Sequence, residues 1–268
     1  MRSEPRVVLI TGASSGIGAA CASHLASNGF RVYGASRRAQ APPGVEPLAM
    51  DVSSDASVNQ AIQAILAREG RLDIVVNNAG MGIAGAIEDT SIEEARAQFE
   101  TNFFGVMRVC RAALPEFRAR RAGRLINIGS IGGLIAIPFQ GLYSASKFAV
   151  EGLTEALRLE VRAFGVHVVL IEPGDHRTSF TDARRMTVAS SASPYAETAA
   201  RAIARMARDE QAGPPPEAVA RLLHRVVNTA NPRLRYTVGP AAQRAGVWAK
   251  RFLPNAVMEL AVRSIYSC

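Results

Sequence analysis

Tyr143 and Lys147 stand four residues apart in the run Tyr-Ser-Ala-Ser-Lys, at the start of a helical pattern over 143–164. Residues at that spacing share one helical face, so the phenol and the ammonium are neighbours. A free phenol has a pKa of ~10, too high for acid–base work at neutral pH, and a nearby ammonium favours the phenolate. The pair is therefore a candidate general acid or base. With 5 tyrosines and two lysines (Lys147 and Lys250) in 268 residues, such a pairing is rarely fortuitous. Ser130 follows a strand pattern over 123–128, and its hydroxyl could hold a substrate oxygen beside Tyr143, or simply cap a turn. Asn102 is a polar residue within an apolar stretch of a long helical pattern, 91–120. It could hold a water that links Lys147 to solvent, or be an ordinary helix residue.

A second group lies near the N-terminus. The apolar run 6–10 (RVVLI) is followed by Thr11-Gly12-Ala13-Ser14-Ser15-Gly16-Ile17-Gly18 and then by a helical pattern over 16–28. Glycines between a strand and a helix allow a tight turn and close approach of a pyrophosphate, and the helix N-terminus offers free N–H groups to it. The next strand pattern, 31–35, ends at Ser36-Arg37-Arg38. A carboxylate there would take an adenosine 2′-hydroxyl, whereas guanidinium forks suit a 2′-phosphate. Asp51 closes a weaker strand pattern at 47–50 and could accept from an adenine amine or cap its own loop.

These groups need a scaffold, and the pattern supplies one. Further continuous apolar runs lie at 72–77 and 166–171, with a helical pattern at 54–69 between strands. Apolar runs without alternation mark strands covered on both faces, and their alternation with helices predicts an α/β fold: a single doubly wound parallel sheet, Rossmann-like, with helices on both faces. Residues 1–268 read as one catalytic domain. It carries a substrate loop at about 175–213, a helix at 217–229, a last strand at 233–238 and a C-terminal extension at about 240–268.

Taken together, the residues resemble the short-chain dehydrogenase/reductase family. The resemblance rests on Thr11-Gly-x-x-x-Gly-Ile-Gly18, Asn77-Asn78-Ala79-Gly80, Asn102, Ser130, Tyr143-x-x-x-Lys147 and Pro173-Gly174, in order across 6 to about 180. It implies that Tyr143 gives or takes the proton, while Lys147 lowers its pKa and binds the nicotinamide ribose. It further implies that Ser130 orients the carbonyl, Asn102 anchors a relay water and Asn78 steadies the sheet beside the cofactor. Thr178 would contact the nicotinamide amide. Gly12, Ser14, Ser15, Gly16, Ile17 and Gly18 would line the pyrophosphate path, with Asp51, Val52, Ala79, Gly80, Pro173 and Gly174 along the rest of the cofactor. Ser36-Arg37-Arg38 resembles the members that prefer NADPH over NADH. The resemblance also implies homodimers or homotetramers built on the helices 91–114 and 148–164. The tail is loosely similar to members acting on steroids, retinoids or acyl chains.

Composition narrows the alternatives. The formal charge of +8 comes from arginines spread over the helical patterns, with no dense stripe and no interleaved aromatics, so nucleic acid is not the expected partner. The four histidines, His176 near the substrate loop among them, have no ligand spacing, so no metal is expected. Cys21, Cys110 and Cys268 form no metal-ligand spacing and agree with a cytoplasmic setting, as does the lack of a signal-peptide pattern. A non-catalytic NADP-binding sensor or scaffold would keep the phosphate cradle; the complete set of Ser130, Tyr143 and Lys147 argues for an enzyme. The run 132–142 (GGLIAIPFQGL) is almost wholly apolar, which suits a lipophilic ketone or alcohol. The tail pattern, Trp248 to Leu260 with Lys250 and Arg251, fits packing on the core, a lid, a subunit contact or a helix lying on a membrane.

Overall fold

In the computed structural model, which describes residues 4–189 and 193–266, seven parallel strands form one sheet. Along the chain come β1 (Val7–Thr11), α1 (Gly16–Ser27), β2 (Arg31–Ser36), β3 (Glu46–Ala49), α2 (Asp55–Glu69), β4 (Ile74–Asn77) and a short β5 (Ile83–Ala84). Then follow α3 (Ile92–Phe99), a π-turn (Glu100–Phe104), α4 (Gly105–Arg120), β6 (Gly123–Ile128) and α5 (Gly141–Glu160). The rest is β7 (Val166–Pro173), α6 (Phe180–Ala183), β8 (Arg185–Met186), α7 (Ala196–Ala212), α8 (Glu217–Asn228), β9 (Arg235–Val238), α9 (Ala241–Ala249) and α10 (Asn255–Tyr266). The sheet order is β3-β2-β1-β4-β6-β7-β9. The chain winds outward from β1 to β3, then crosses back to β4, so a crevice opens between β1 and β4 at their carboxyl ends, where open α/β sheets bind ligands.

The inner strands β2, β1, β4, β6 and β7 are buried on both faces, as the continuous apolar runs predict, while the edge strands β3 and β9 are partly exposed. Val7 and Leu9 of β1 point into a core layer shared with Ile62 of α2, Phe117 of α4 and Leu157 of α5. Val8 and Ile10 point the other way, toward Leu25 of α1 and Leu223 of α8. Polar bonds then fix α5 against the middle of the sheet. Asn77 Nδ2 donates to Asn127 Oδ1 (2.9 Å), Asn127 Nδ2 to Thr154 Oγ1 (2.8 Å), and Thr154 Oγ1 to Val150 O (2.6 Å). These groups are buried, and unpaired they would each carry a desolvation cost.

Several boundaries differ from the sequence reading. The helix expected over 91–120 is interrupted: Gly105 N donates to Glu100 O, five residues back. The extra residue in that turn carries Asn102, whose side chain finds three partners there, and wide turns of this kind recur at functional positions. The segment read as a substrate loop, about 175–213, contains β8, which pairs in parallel with β5. The tail does not pack into the core: no residue of α9 or α10 is buried. Cys21 and Cys110 are buried free thiols, and burial pushes both up to about 12; Cys268, like loop positions 190–192, lies outside the described residues. No helix of the described residues is long and apolar enough to cross a membrane.

The ring of Phe117 carries the heaviest packing role. It is fully buried, and a Cβ on Gly123 would lie 2.2 Å from its Cγ, so ring and strand backbone are in direct contact. Phe117→Ala should lower stability by ~3–5 kcal/mol in urea unfolding. A loss below ~1 kcal/mol, the scale of an ordinary surface change, would mean that this layer collapses around the gap.

Candidate active site

The carboxyl edge of the sheet opens into a cavity of about 1130 Å³. One end is the loop after β1. Gly12 has φ +66, and a Cβ there would come within 2.8 Å of Ala79 Cα; a Cβ on Gly18 would lie 2.2 Å from Gly12 O. Neither position accepts a side chain without moving the backbone, so the loop stays close to the sheet. Thr11 and Asn78 hold it there. Asn78 N and Ala79 N both donate to Thr11 Oγ1 (3.0 Å each), and Asn78 Nδ2 donates to Thr11 O (3.0 Å) and Gly12 O (3.1 Å). Thr11 was legible only as part of the motif; its hydroxyl is what joins the two loops.

The start of α1 differs from those of α2 and α3. Ser54 caps α2, and Ser91 with Glu94 forms a reciprocal capping pair on α3. Ser15, at the head of α1, makes no side-chain cap, and the first turn holds no acid. Its N–H groups and partial positive charge are left for an anion. Gly12, Ser14, Ser15, Gly16 and Ile17 line the cavity at this point. Gly18 does not line it; its lack of a side chain lets α1 pack on Gly12.

The far end holds the β2 loop. Ser36 Oγ closes its own turn, accepting from Gln40 N (2.8 Å) and donating to Gln40 O (3.0 Å). Arg37 and Arg38 are exposed and line the cavity with Val52. Asp51 Oδ1 accepts from Ser53 N (2.9 Å) and Ser53 Oγ (2.6 Å), bonds that hold its carboxyl below the usual range, so it caps its loop while still lining the cavity. Asn78, Ala79, Gly80, Pro173, Gly174 and Thr178 line the stretch between the two ends, and Thr178 Cβ lies 3.5 Å from where a Gly16 Cβ would be. An anion cradle, a groove and two guanidinium groups in a row fit a phosphorylated dinucleotide.

Ser130, Tyr143 and Lys147 meet in the middle of this cavity. Ser130 caps a single 3₁₀ turn, its Oγ accepting from Gly132 N (3.0 Å), and its hydroxyl sits beside the Tyr143 ring, each 3.3 Å from where a Gly132 Cβ would be. Burial raises the phenol pKa, and the neighbouring Ser130 hydroxyl opposes that rise. Lys147 Nζ donates to Ile128 O (2.9 Å) and lies 5.8 Å from the centre of the Tyr143 ring. Burial lowers its pKa to about 8, with Glu151 opposing. At Tyr143 desolvation outweighs the groups that favour the phenolate. Asn102 is buried. Its Nδ2 donates to Met81 O (3.0 Å) and Ser146 Oγ (3.1 Å), and its Oδ1 accepts from Met81 N (2.9 Å). These bonds tie the loop after β4 to the turn between Tyr143 and Lys147.

The remaining walls carry a large apolar share, with Arg185, Arg205, Asp209 and Glu210 also in the lining. Ile131, Ile135 and Ile137 come from the run after β6, Phe180 from α6, and Leu253, Met258, Val262 and Ile265 from the tail. Phe180 stacks at 5.7 Å from the Tyr143 ring, and the β5–β8 pair holds its segment down. The lining also includes His176, which is buried with Nδ1 on Gly174 O at 2.9 Å. Asp175, bonded to Gln243 of α9, is pushed up to about 6, chiefly by burial. Among the described residues no three His, Cys, Asp or Glu side chains gather as metal ligands. The tail, for which the sequence left packing on the core, a lid, a subunit contact and a membrane helix open, thus forms one wall of the cavity.

Comparison with known proteins agrees with this geometry. The family model for short chain dehydrogenases matches residues 6–189. The chain is 44% identical over 266 residues to the 3-ketodihydrosphingosine reductase of Bacteroides thetaiotaomicron, covering 98% of this chain and 99% of that one. Among solved structures it resembles a short-chain dehydrogenase from Streptomyces avermitilis, with a TM-score of 0.83, 33% identity and 98% coverage of each chain. It also resembles a short-chain dehydrogenase/reductase from Burkholderia phymatum in complex with NAD, with a TM-score of 0.78, 26% identity and coverage of 97% and 96%. The chain belongs to the short-chain dehydrogenase family, nicotinamide-dependent oxidoreductases that interconvert carbonyl and alcohol.

Proposed function

We propose that this enzyme uses NADPH to reduce a lipophilic ketone to a secondary alcohol. One observation carries the reading: the groove that runs from Arg37 past α1 to Tyr143 continues between apolar walls, Ile135, Ile137, Phe180, Met258 and Val262 among them. A carbonyl on an alkyl chain gains there from burial of apolar surface, at ~25 cal/mol per Å². The match to a reductase of 3-ketodihydrosphingosine extends through the tail that forms part of those walls, which favours a long-chain ketone.

When bound, the reduced nicotinamide supplies the hydride. The chain supplies position and the proton. Ser130 and Tyr143, side by side in the cavity wall, present two hydroxyls to one carbonyl oxygen. Tyr143 donates its proton to that oxygen as the alcohol forms. Because burial raises its pKa, the phenol is protonated at neutral pH, which suits the reducing direction. Lys147 is a cation below about 8 and offsets the phenolate left behind. Asn102 keeps α5 and the loop after β4 in register. Arg37 and Arg38 would hold a 2′-phosphate, with no carboxylate at 36–38 to repel it. Exposed Ile92, Phe104, Phe148 and Leu159 on α3, the π-turn and α5 support a homodimer or homotetramer built on those helices.

Three outcomes are expected. Tyr143→Phe should lose ~10²–10⁴-fold in ketone reduction while NADPH affinity, followed by fluorescence titration, barely changes; near-normal turnover would remove the phenol from the mechanism. Wild type should favour NADPH over NADH by roughly 10- to 100-fold, and Ser36→Asp with Arg37→Ala should reverse that order; equal use of both by wild type would defeat the assignment. Across ketones of rising apolar size, kcat/KM should climb, and truncation after Pro240 should penalise bulky ketones more than small ones. A best substrate that is small and hydrophilic would overturn the substrate class.

A further inference from the structure

The helices α9 and α10 have two different faces. The inner one lines the cavity with Leu253, Met258, Val262 and Ile265. The outer one leaves large apolar side chains in solvent: Trp248 is 66% exposed, Phe252 67% and Leu260 68%, with Val257 close by. Trp248 and Phe252 stack on each other at 4.7 Å between ring centres, so the aromatic surface is continuous. Exposed apolar surface of this kind marks a contact site.

The surrounding charge says what it contacts. After Pro240 the chain carries Arg244, Lys250, Arg251 and Arg263 against a single acid, Glu259. Arg244 and Arg251 are exposed. A symmetric self-contact through this patch would bring two cationic surfaces together, since an isologous interface pairs a patch with itself. An anionic lipid surface offers the opposite sign, and an exposed tryptophan with flanking cations suits the boundary between headgroups and acyl chains.

We propose that α9, the turn after it and α10 dock on an anionic bilayer and seat the outer wall of the substrate cavity against the lipid. A lipophilic ketone would then reach Tyr143 by passing between a wall and the membrane it rests on, without crossing water. The docking itself is independent of whether such a ketone is the substrate.

The single tryptophan makes this directly measurable, because Trp248 lies in the proposed face. The purified full chain, without cofactor or substrate, is mixed with vesicles of phosphatidylcholine alone or of phosphatidylcholine with phosphatidylglycerol. Sedimentation with the anionic vesicles, a blue shift of Trp248 emission, and weakening of both by salt are expected. Phe252→Ser with Leu260→Ser should weaken binding about tenfold or more, and Arg244→Gln with Arg251→Gln should weaken it without removing apolar surface. Both variants should turn over a short, water-soluble ketone at the wild-type rate. Unshifted emission with no sedimentation, or equal binding to neutral and anionic vesicles, would overturn the proposal. So would variants that change the mass in light scattering while vesicle binding stays intact, which would make the face a subunit contact.

Discussion

An ammonium taken out of water must find compensation nearby, and Lys147 finds it at the end of β6, where Nζ donates to Ile128 O at 2.9 Å. That bond fixes more than one side chain. It sets the depth of α5 against the sheet, and so the place of Tyr143 one turn earlier. The Asn77–Asn127–Thr154 chain repeats the constraint deeper in the layer, between β4, β6 and α5. With the helix held at two levels, Ser130 on the strand side and Tyr143 on the helix side face the same point of the cavity.

A second polar cluster steadies the same helix from behind. Glu151 of α5 and the fully buried Glu172 of β7 share Arg235 of β9, with Arg235 Nε 2.8 Å from Glu151 and 3.4 Å from Glu172. Burial and the neighbouring carboxyl push Glu172 up to about 8, so at neutral pH it keeps its proton. Two carboxyls and one guanidinium then form a compensated set instead of a buried repulsion. The cradle at α1 follows the opposite logic. There the helix end is left uncapped and the turn is built from glycines, which costs local stability and leaves an electrostatic vacancy of the sign that phosphates fill.

What the sequence made legible follows from which signals are local. Period and apolar runs fixed the parallel sheet, since a strand buried on both faces cannot hide that in its composition. The Tyr143–Lys147 spacing and the turn at 11–18 were readable because four residues of helix, or one strand-to-helix turn, fully determine who faces whom. The π-turn at Asn102 was not, because its cause is a set of bonds to Met81 and Ser146, residues 21 and 44 positions away. Thr11, Asn127 and Glu172 look like ordinary strand residues until their cross-strand partners are known. The tail was ambiguous for a like reason: its apolar stripe marks two faces, and only the fold shows that one lines the cavity and the other faces solvent.

The proposed reaction carries a hydride from NADPH to a ketone held between Tyr143 and the apolar walls. Single-turnover reduction of a long-chain 3-ketone with NADPH carrying deuterium on the transferring face of nicotinamide C4 tests it most directly. The account predicts deuterium on the new carbinol carbon of the product, formed at a rate that the Tyr143→Phe change suppresses. Alcohol that forms without label at that carbon, or no transfer from NADPH to any apolar ketone, would contradict it.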